Sequence, residues 1–209
     1  MAQYLTKFSE YATGSEPSDW YVIEDTGTFT IYEDASVEEG KYATFDPEFN
    51  DYMAYWSGNG HEESDIEIVV KLRPQDNVYT HGIRLRSTAK TEGYWLQIED
   101  SYVRLVGSNN TLAYDSKNFE LNNWYWLRLR ANGNNLKAKY WDDGSPEPTN
   151  WQMEITDSTH SSGISGLHTT RNRTTDYSVV GVGTNGSTAP KLALVDPPSA
   201  PTNLSTQFL

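Results

Sequence analysis

Residues 124–141 run Trp124-Tyr125-Trp126-Leu127-Arg128-Leu129-Arg130-Ala131-Asn132-Gly133-Asn134-Asn135-Leu136-Lys137-Ala138-Lys139-Tyr140-Trp141. Two runs alternate apolar with charged side chains, and the residues between them tolerate positive φ. Period-two alternation sends Leu127 and Leu129 to one face of a strand and Arg128 and Arg130 to the other. Asn-Gly-Asn-Asn is the chemistry of a tight reversal. The stretch is therefore a β-hairpin with an apolar face for a core. Its other face is basic and aromatic, carrying Trp124, Trp126, Arg128, Arg130, Lys137, Lys139 and Trp141.

Outward from this hairpin, the same alternation bounded by turn residues predicts strands at 20–23, 29–32, 42–45, 52–56, 65–72, 79–86, 94–99, 102–106, 151–156 and 177–183. No segment has a helical period. Ser162-Gly163-Ile164-Ser165-Gly166 reads as a loop that caps the assembly. Many short strands at this spacing give an all-β fold, a two-sheet antiparallel β-sandwich of the jelly-roll kind. The composition agrees. The 209 residues include 7 Trp, 14 Tyr and 6 Phe, which suit pleated sheets. Cysteine is absent, which excludes disulfide frameworks, zinc ribbons and thiol catalysis. A net charge of −13 argues against nucleic-acid binding. No apolar run is long enough to span a membrane.

The sandwich is expected over 1–192. Residues 193–209 contain Asp196-Pro197-Pro198-Ser199-Ala200-Pro201-Thr202, which cannot continue a sheet and reads as a semi-extended linker or tail. Asn203-Leu204-Ser205 after it has the look of an opening fibronectin III or immunoglobulin-like strand. The first residues, 1–7, lack the apolar core of a signal peptide.

Three segments carry a family likeness. They are Phe8-Ser9-Glu10-Tyr11 with Gly14 and Pro17-Ser18-Asp19-Trp20; the hairpin with Pro146-Glu147-Pro148 and Trp151; and Asp176-Tyr177-Ser178-Val179 with Val182-Gly183-Thr184-Asn185-Gly186. Together they resemble the concanavalin A-like lectin/glucanase superfamily, near its laminin G-like jelly rolls, over roughly residues 4–190. The resemblance implies two antiparallel sheets, one of them concave, with a groove that binds glycans. It also implies calcium, mapped here to Glu10, the Gly40 carbonyl and Asp176. Similar domains occur in phage virion and bacterial surface proteins. That implies a virion or extracellular-surface location, other assembly subunits as partners, and a homo-oligomer.

Three functions are weighed. The first is a non-catalytic carbohydrate-binding or adhesion module. Its ligand-binding candidates are Trp56 and Trp95, next to loops, with Arg84, Arg128, Arg130 and Lys139 on strands. Arginine offers a planar fork to oxygen ligands, and an indole offers a stacking face. The bland alternatives are cross-strand ion pairs and core packing. The second is a glycoside hydrolase. Glu63, Asp65 and Glu67 alternate as in laminarinase-type enzymes, where the corresponding residues are nucleophile, helper and acid/base. Ser64 and His61-Glu62 depart from that pattern, and a charged outer row is the default for a half-solvated sheet. The third is a structural decoration or assembly module. His61, His81, His160 and His168 lack metal-ligand spacing and read as loop or surface residues.

Overall fold

The computed structural model describes residues 2–23, 27–47, 51–56, 62–76, 79–89, 91–170 and 173–191. The tail at 193–209 and the loop at 57–61, with His61, lie outside the described residues. Fifteen strands and no helix occur among the described residues. In chain order they are β1 (Ala2–Thr6), β2 (Trp20–Ile23), β3 (Thr28–Glu33), β4 (Lys41–Asp46), β5 (Asp51–Trp56), β6 (Ile66–Pro74), β7 (Tyr79–Ala89), β8 (Glu92–Glu99), β9 (Tyr102–Gly107), β10 (Asn110–Ser116), β11 (Tyr125–Asn132), β12 (Asn135–Asp142), β13 (Met153–Thr156), β14 (Ile164–Thr170) and β15 (Thr175–Thr184).

They form two antiparallel sheets. One has seven strands in the order β10-β9-β8-β7-β14-β5-β2. The other has eight, in the order β13-β12-β11-β6-β15-β4-β3, with β1 beside β15. The core lies between them. From the eight-stranded sheet, β6 contributes Ile66, Ile68, Val70 and Leu72, and β11 contributes Leu127 and Leu129. From the other come Ile83, Leu85, Tyr94, Leu96, Ile98, Val103, Leu105 and Leu167. All of these side chains are buried, and apolar area removed from water drives the two faces together.

The 124–141 hairpin forms as read, with Leu129 opposite Ala138 and Asn132 opposite Asn135. Three strands escape the sequence pattern: β1, β10 and β14. The capping loop expected at 162–166 is corrected. β14 starts at Ile164 and runs through the interior of the seven-stranded sheet, between β7 and β5. His81 and His168 are corrected with it, since both lie on strands and are buried; His160 lies in a loop as expected, and is buried there.

The chain then covers the outer face of the eight-stranded sheet with its own backbone. After β15, Asn185 and Gly186 take positive φ, 52° and 81°, and Ser187 N donates to Thr184 O at 3.0 Å. That reversal lays residues 187–191 back across the strands as a strap. Ala189 packs with Val69, Trp126, Trp141 and Val179 in a second, smaller apolar cluster. The strap can approach because Gly181 and Gly183 face it. A Cβ on Gly181 would meet the Pro190 carbonyl oxygen, and one on Gly183 would meet that of Ser187. Gly181→Ala is therefore expected to destabilise the fold by about 1–3 kcal/mol, the range for overpacking a filled site. Urea unfolding reads this directly, and an unchanged midpoint would unseat the strap.

Candidate functional site

The outer face of the seven-stranded sheet is assembled in rows by strand register. Tyr21 of β2 stands opposite Tyr55 of β5. Further along the same side, Gly166 stands opposite Arg84, Arg84 opposite Trp95, and Trp95 opposite Val106. The next row sets Met53 against His168, His168 against Gly82, Gly82 against Gln97, Gln97 against Arg104, and Arg104 against Tyr114. Glu99 follows Gln97 by two residues and faces Tyr102. Cross-strand neighbours on one face lie close enough to act together.

The centre of this face is polar, aromatic and buried, although it points away from the core. The Arg84 guanidinium lies 4.6 Å from the centroid of the Trp95 ring, within cation–π range. Its Nε donates to His168 Nδ1 at 2.9 Å, which makes that nitrogen an acceptor. Burial, with the charges of Arg84 and His81 beside it, holds the His168 imidazole well below its ordinary pKa. His168 is thus a neutral spacer that orients an arginine. The Tyr177 hydroxyl lies 3.1 Å from the carbonyl oxygens of Gly82 and His168 and ties this region to the eight-stranded sheet.

Beside it, Gln97 Nε2 donates to Glu99 Oε1 at 2.7 Å, and Arg104 pairs with the same oxygen. Gln97 Oε1, Glu99 Oε2 and Arg104 Nε are buried without a hydrogen-bond partner. Exposed tyrosines bound the face at its two edges. Tyr21 is 55% exposed and Tyr114 72%. Tyr21 stacks on Tyr55 at 5.6 Å.

The six predicted ligand-binding residues do not share one surface. Arg84 and Trp95 meet here. Trp56 stacks on Trp20 at 5.8 Å, and its Nε1 donates to Asp19 Oδ2 at 2.6 Å. Arg128, Arg130 and Lys139 lie on the opposite sheet, inside an ion cluster. Both Arg128 and Arg130 pair with Glu67. Arg128 Nε also pairs with Glu147 at 2.9 Å, and Lys139 and Lys191 reach the same carboxylate at 3.3 and 3.2 Å. Burial would raise Glu147, but Arg128 and Lys191 outweigh it and hold its carboxyl below the ordinary value. Register explains the separation: β11 and β12 belong to one sheet, β7 and β8 to the other.

The acidic trio is likewise divided. The strand begins at Ile66, so Glu63 and Asp65 precede it rather than share its outer row. Asp65 accepts from Gly133 N at 2.8 Å. Glu67 is buried under the strap, where Ala189 N donates to its Oε1 at 2.9 Å and the two arginines take the rest. A carboxylate enclosed in this way is not open to a glycosidic bond, and retaining hydrolysis needs two carboxylates facing across a cleft.

The predicted calcium ligands do not fit a cation. Asp176 is held by Arg73, Gln75 and Thr44, and a guanidinium at 2.8 Å already supplies its positive charge. Glu10 accepts from Thr6 Oγ1, and the Gly40 carbonyl from Asp34 N at 3.1 Å. Among the described residues, no group of three or more His, Asp or Glu could hold a metal.

No protein-family model matches the sequence, and no curated protein matches it. Solved structures do. The chain is similar to a carbohydrate-binding module, CBM66 from Bacillus subtilis, with a TM-score of 0.57 and 17% identity over 76% of this chain and 91% of that one. It is similar to the Ca2+-bound exoplasmic/lumenal domain of VIP36, with a TM-score of 0.54 and 14% identity over 86% and 88%. It is also similar to lectin II from Ulex europaeus, with a TM-score of 0.56 and 4% identity over 87% and 97%. The fold is the concanavalin A-like jelly roll.

Glu67→Gln tests the ion cluster. Removing its charge takes a carboxylate from both Arg128 and Arg130 and leaves the buried Arg128 with Glu147, and is expected to cost about 3–5 kcal/mol of stability. Chemical denaturation measures it. A midpoint equal to wild type would mean that Glu67 is free for another task.

Proposed function

We propose that this chain is a carbohydrate-binding domain that receives its ligand on the outer face of the seven-stranded sheet. The observation that carries the reading is the difference between its two outer faces. One is closed by the strap, with its charges paired among themselves. The other sets the Arg84–Trp95–His168 group between two exposed tyrosines, Tyr21 and Tyr114. Aromatic rings for the apolar faces of sugars and fixed polar groups for their hydroxyls are the two components of such a site. The likeness in fold to a carbohydrate-binding module and to lectins supports the same reading.

Binding of this kind needs no carboxylate pair and no cation from the residues named. Its support in sequence for a surface setting, virion or cellular, is the resemblance.

A glycan array probed with the intact chain tests the proposal, followed by titration calorimetry on the glycans retained. Arg84→Lys keeps the charge but loses the planar fork, and is expected to weaken binding by about tenfold or more. Arg130→Lys, on the opposite face, is expected to leave it unchanged, as is a chelator. Absence of glycan binding, or loss in the Arg130 variant alone, would overturn the reading.

A further inference from the structure

Three Asn-Gly pairs occur in the sequence, at 59–60, 132–133 and 185–186. The first lies outside the described residues. The other two sit at chain reversals, exposed to water, and one residue, Asp65, holds both. Gly133 N donates to Asp65 Oδ1 at 2.8 Å. Gly186 N donates to the Asp65 carbonyl oxygen at 3.3 Å. The two bonds differ in kind. The first is short and ends on a charged acceptor. The second ends on a neutral one and is longer than an ordinary N–H···O bond.

An Asn-Gly pair is open to a reaction that needs no co-reactant but water. The glycine nitrogen gives up its proton and attacks the asparagine Cγ. An N–Cγ bond forms, the Cγ–Nδ2 bond breaks, and the amide leaves as ammonia with that proton. Water then opens the cyclic imide. Breaking the new N–Cγ bond gives aspartate. Breaking the older bond to the main-chain carbonyl gives isoaspartate, with one more carbon in the main chain. Glycine favours the attack because no side chain shields its nitrogen. A carboxylate gripping the N–H opposes it, since the nitrogen must become negative beside a negative charge.

We propose that Asn185 is a modification site, converted to aspartate and isoaspartate as the folded protein ages, while Asp65 spares Asn132. The conversion acts on the strap. Asn185 and Gly186 are the two residues of the reversal that Ser187 N closes on Thr184 O at 3.0 Å. Isoaspartate lengthens that reversal by one main-chain atom, which shifts Ala189 N from the Glu67 carboxylate it serves. The exposed hinge is thus the point from which the buried ion cluster is loosened.

The test holds the intact chain in mildly alkaline buffer, native and in urea. Peptide mapping by mass spectrometry follows each asparagine with time. In urea the two sites are expected to convert at similar rates. In the native chain Asn185 is expected to convert about fivefold faster than Asn132, or more. Asp65→Asn keeps an oxygen acceptor without the charge, and is expected to raise the Asn132 rate by about fivefold. The isoaspartate fraction, separated from fresh protein, is expected to unfold at lower urea. Equal native rates at the two sites, or an Asn185 that converts in urea but not in the native chain, would overturn the proposal. A folded Asp65→Asn that leaves Asn132 as slow as before would overturn the role of Asp65. If that variant fails to fold, the native and urea rates of the unaltered chain decide. An isoaspartate fraction as stable as fresh protein would overturn the effect on the strap.

Discussion

Glu67 organises one whole side of this molecule. It sits near the start of β6, on the side away from the core, and a carboxylate there would ordinarily face water. Instead it is enclosed by Arg128 and Arg130 from the neighbouring strand and by the backbone N–H of Ala189. The enclosure is possible because β15, on the other flank of β6, carries Gly181 and Gly183, where side chains would block the strap. Desolvating a carboxylate is costly unless it is fully paired. The ion cluster and the strap therefore depend on each other, and together they convert the outer face of the eight-stranded sheet into a second packed layer.

The consequence is an asymmetric sandwich. Trp126 and Trp141 stack at 5.8 Å under that layer, with Lys191 5.6 and 5.3 Å from their ring centroids. Basic and aromatic residues that resemble a ligand platform in sequence are there occupied with one another. The opposite face gathers its own buried polar groups around Arg84 and Glu99. Arg84, Gln97, Glu99 and His168 are buried, yet three atoms in their vicinity lack partners. Tyr21 and Tyr114 stay exposed at its edges, and this is the side on which we propose that a ligand binds.

The hairpin at 124–141 was legible because alternation and turn chemistry agree there, and the core positions of β6, β8 and β11 follow from the same rule. β14 was not, because Ile164-Ser165-Gly166-Leu167-His168-Thr169-Thr170 buries the polar Ser165, His168 and Thr169 on both of its sides and has two apolar residues. Missing it also misplaced His168. Strand alternation cannot say which sheet a strand joins, so Arg84 and Arg128 looked equivalent in sequence. Alternation alone does not single out Gln97 and Glu99, although the inward run of Tyr94, Leu96 and Ile98 sets them on the same side as Trp95. The closure of Glu67 depends on the backbone of Ala189, 122 residues away, which no local pattern encodes.

The central claim is that ligand binds on one named face. Backbone amide chemical-shift mapping during titration with a bound oligosaccharide tests it most directly. The account predicts perturbations concentrated in β7, β8, β9 and β14, around Arg84, Trp95, Gln97 and Arg104, with β11, β12 and the strap at 187–191 unmoved. Perturbations confined to β11, β12 and the strap would contradict it.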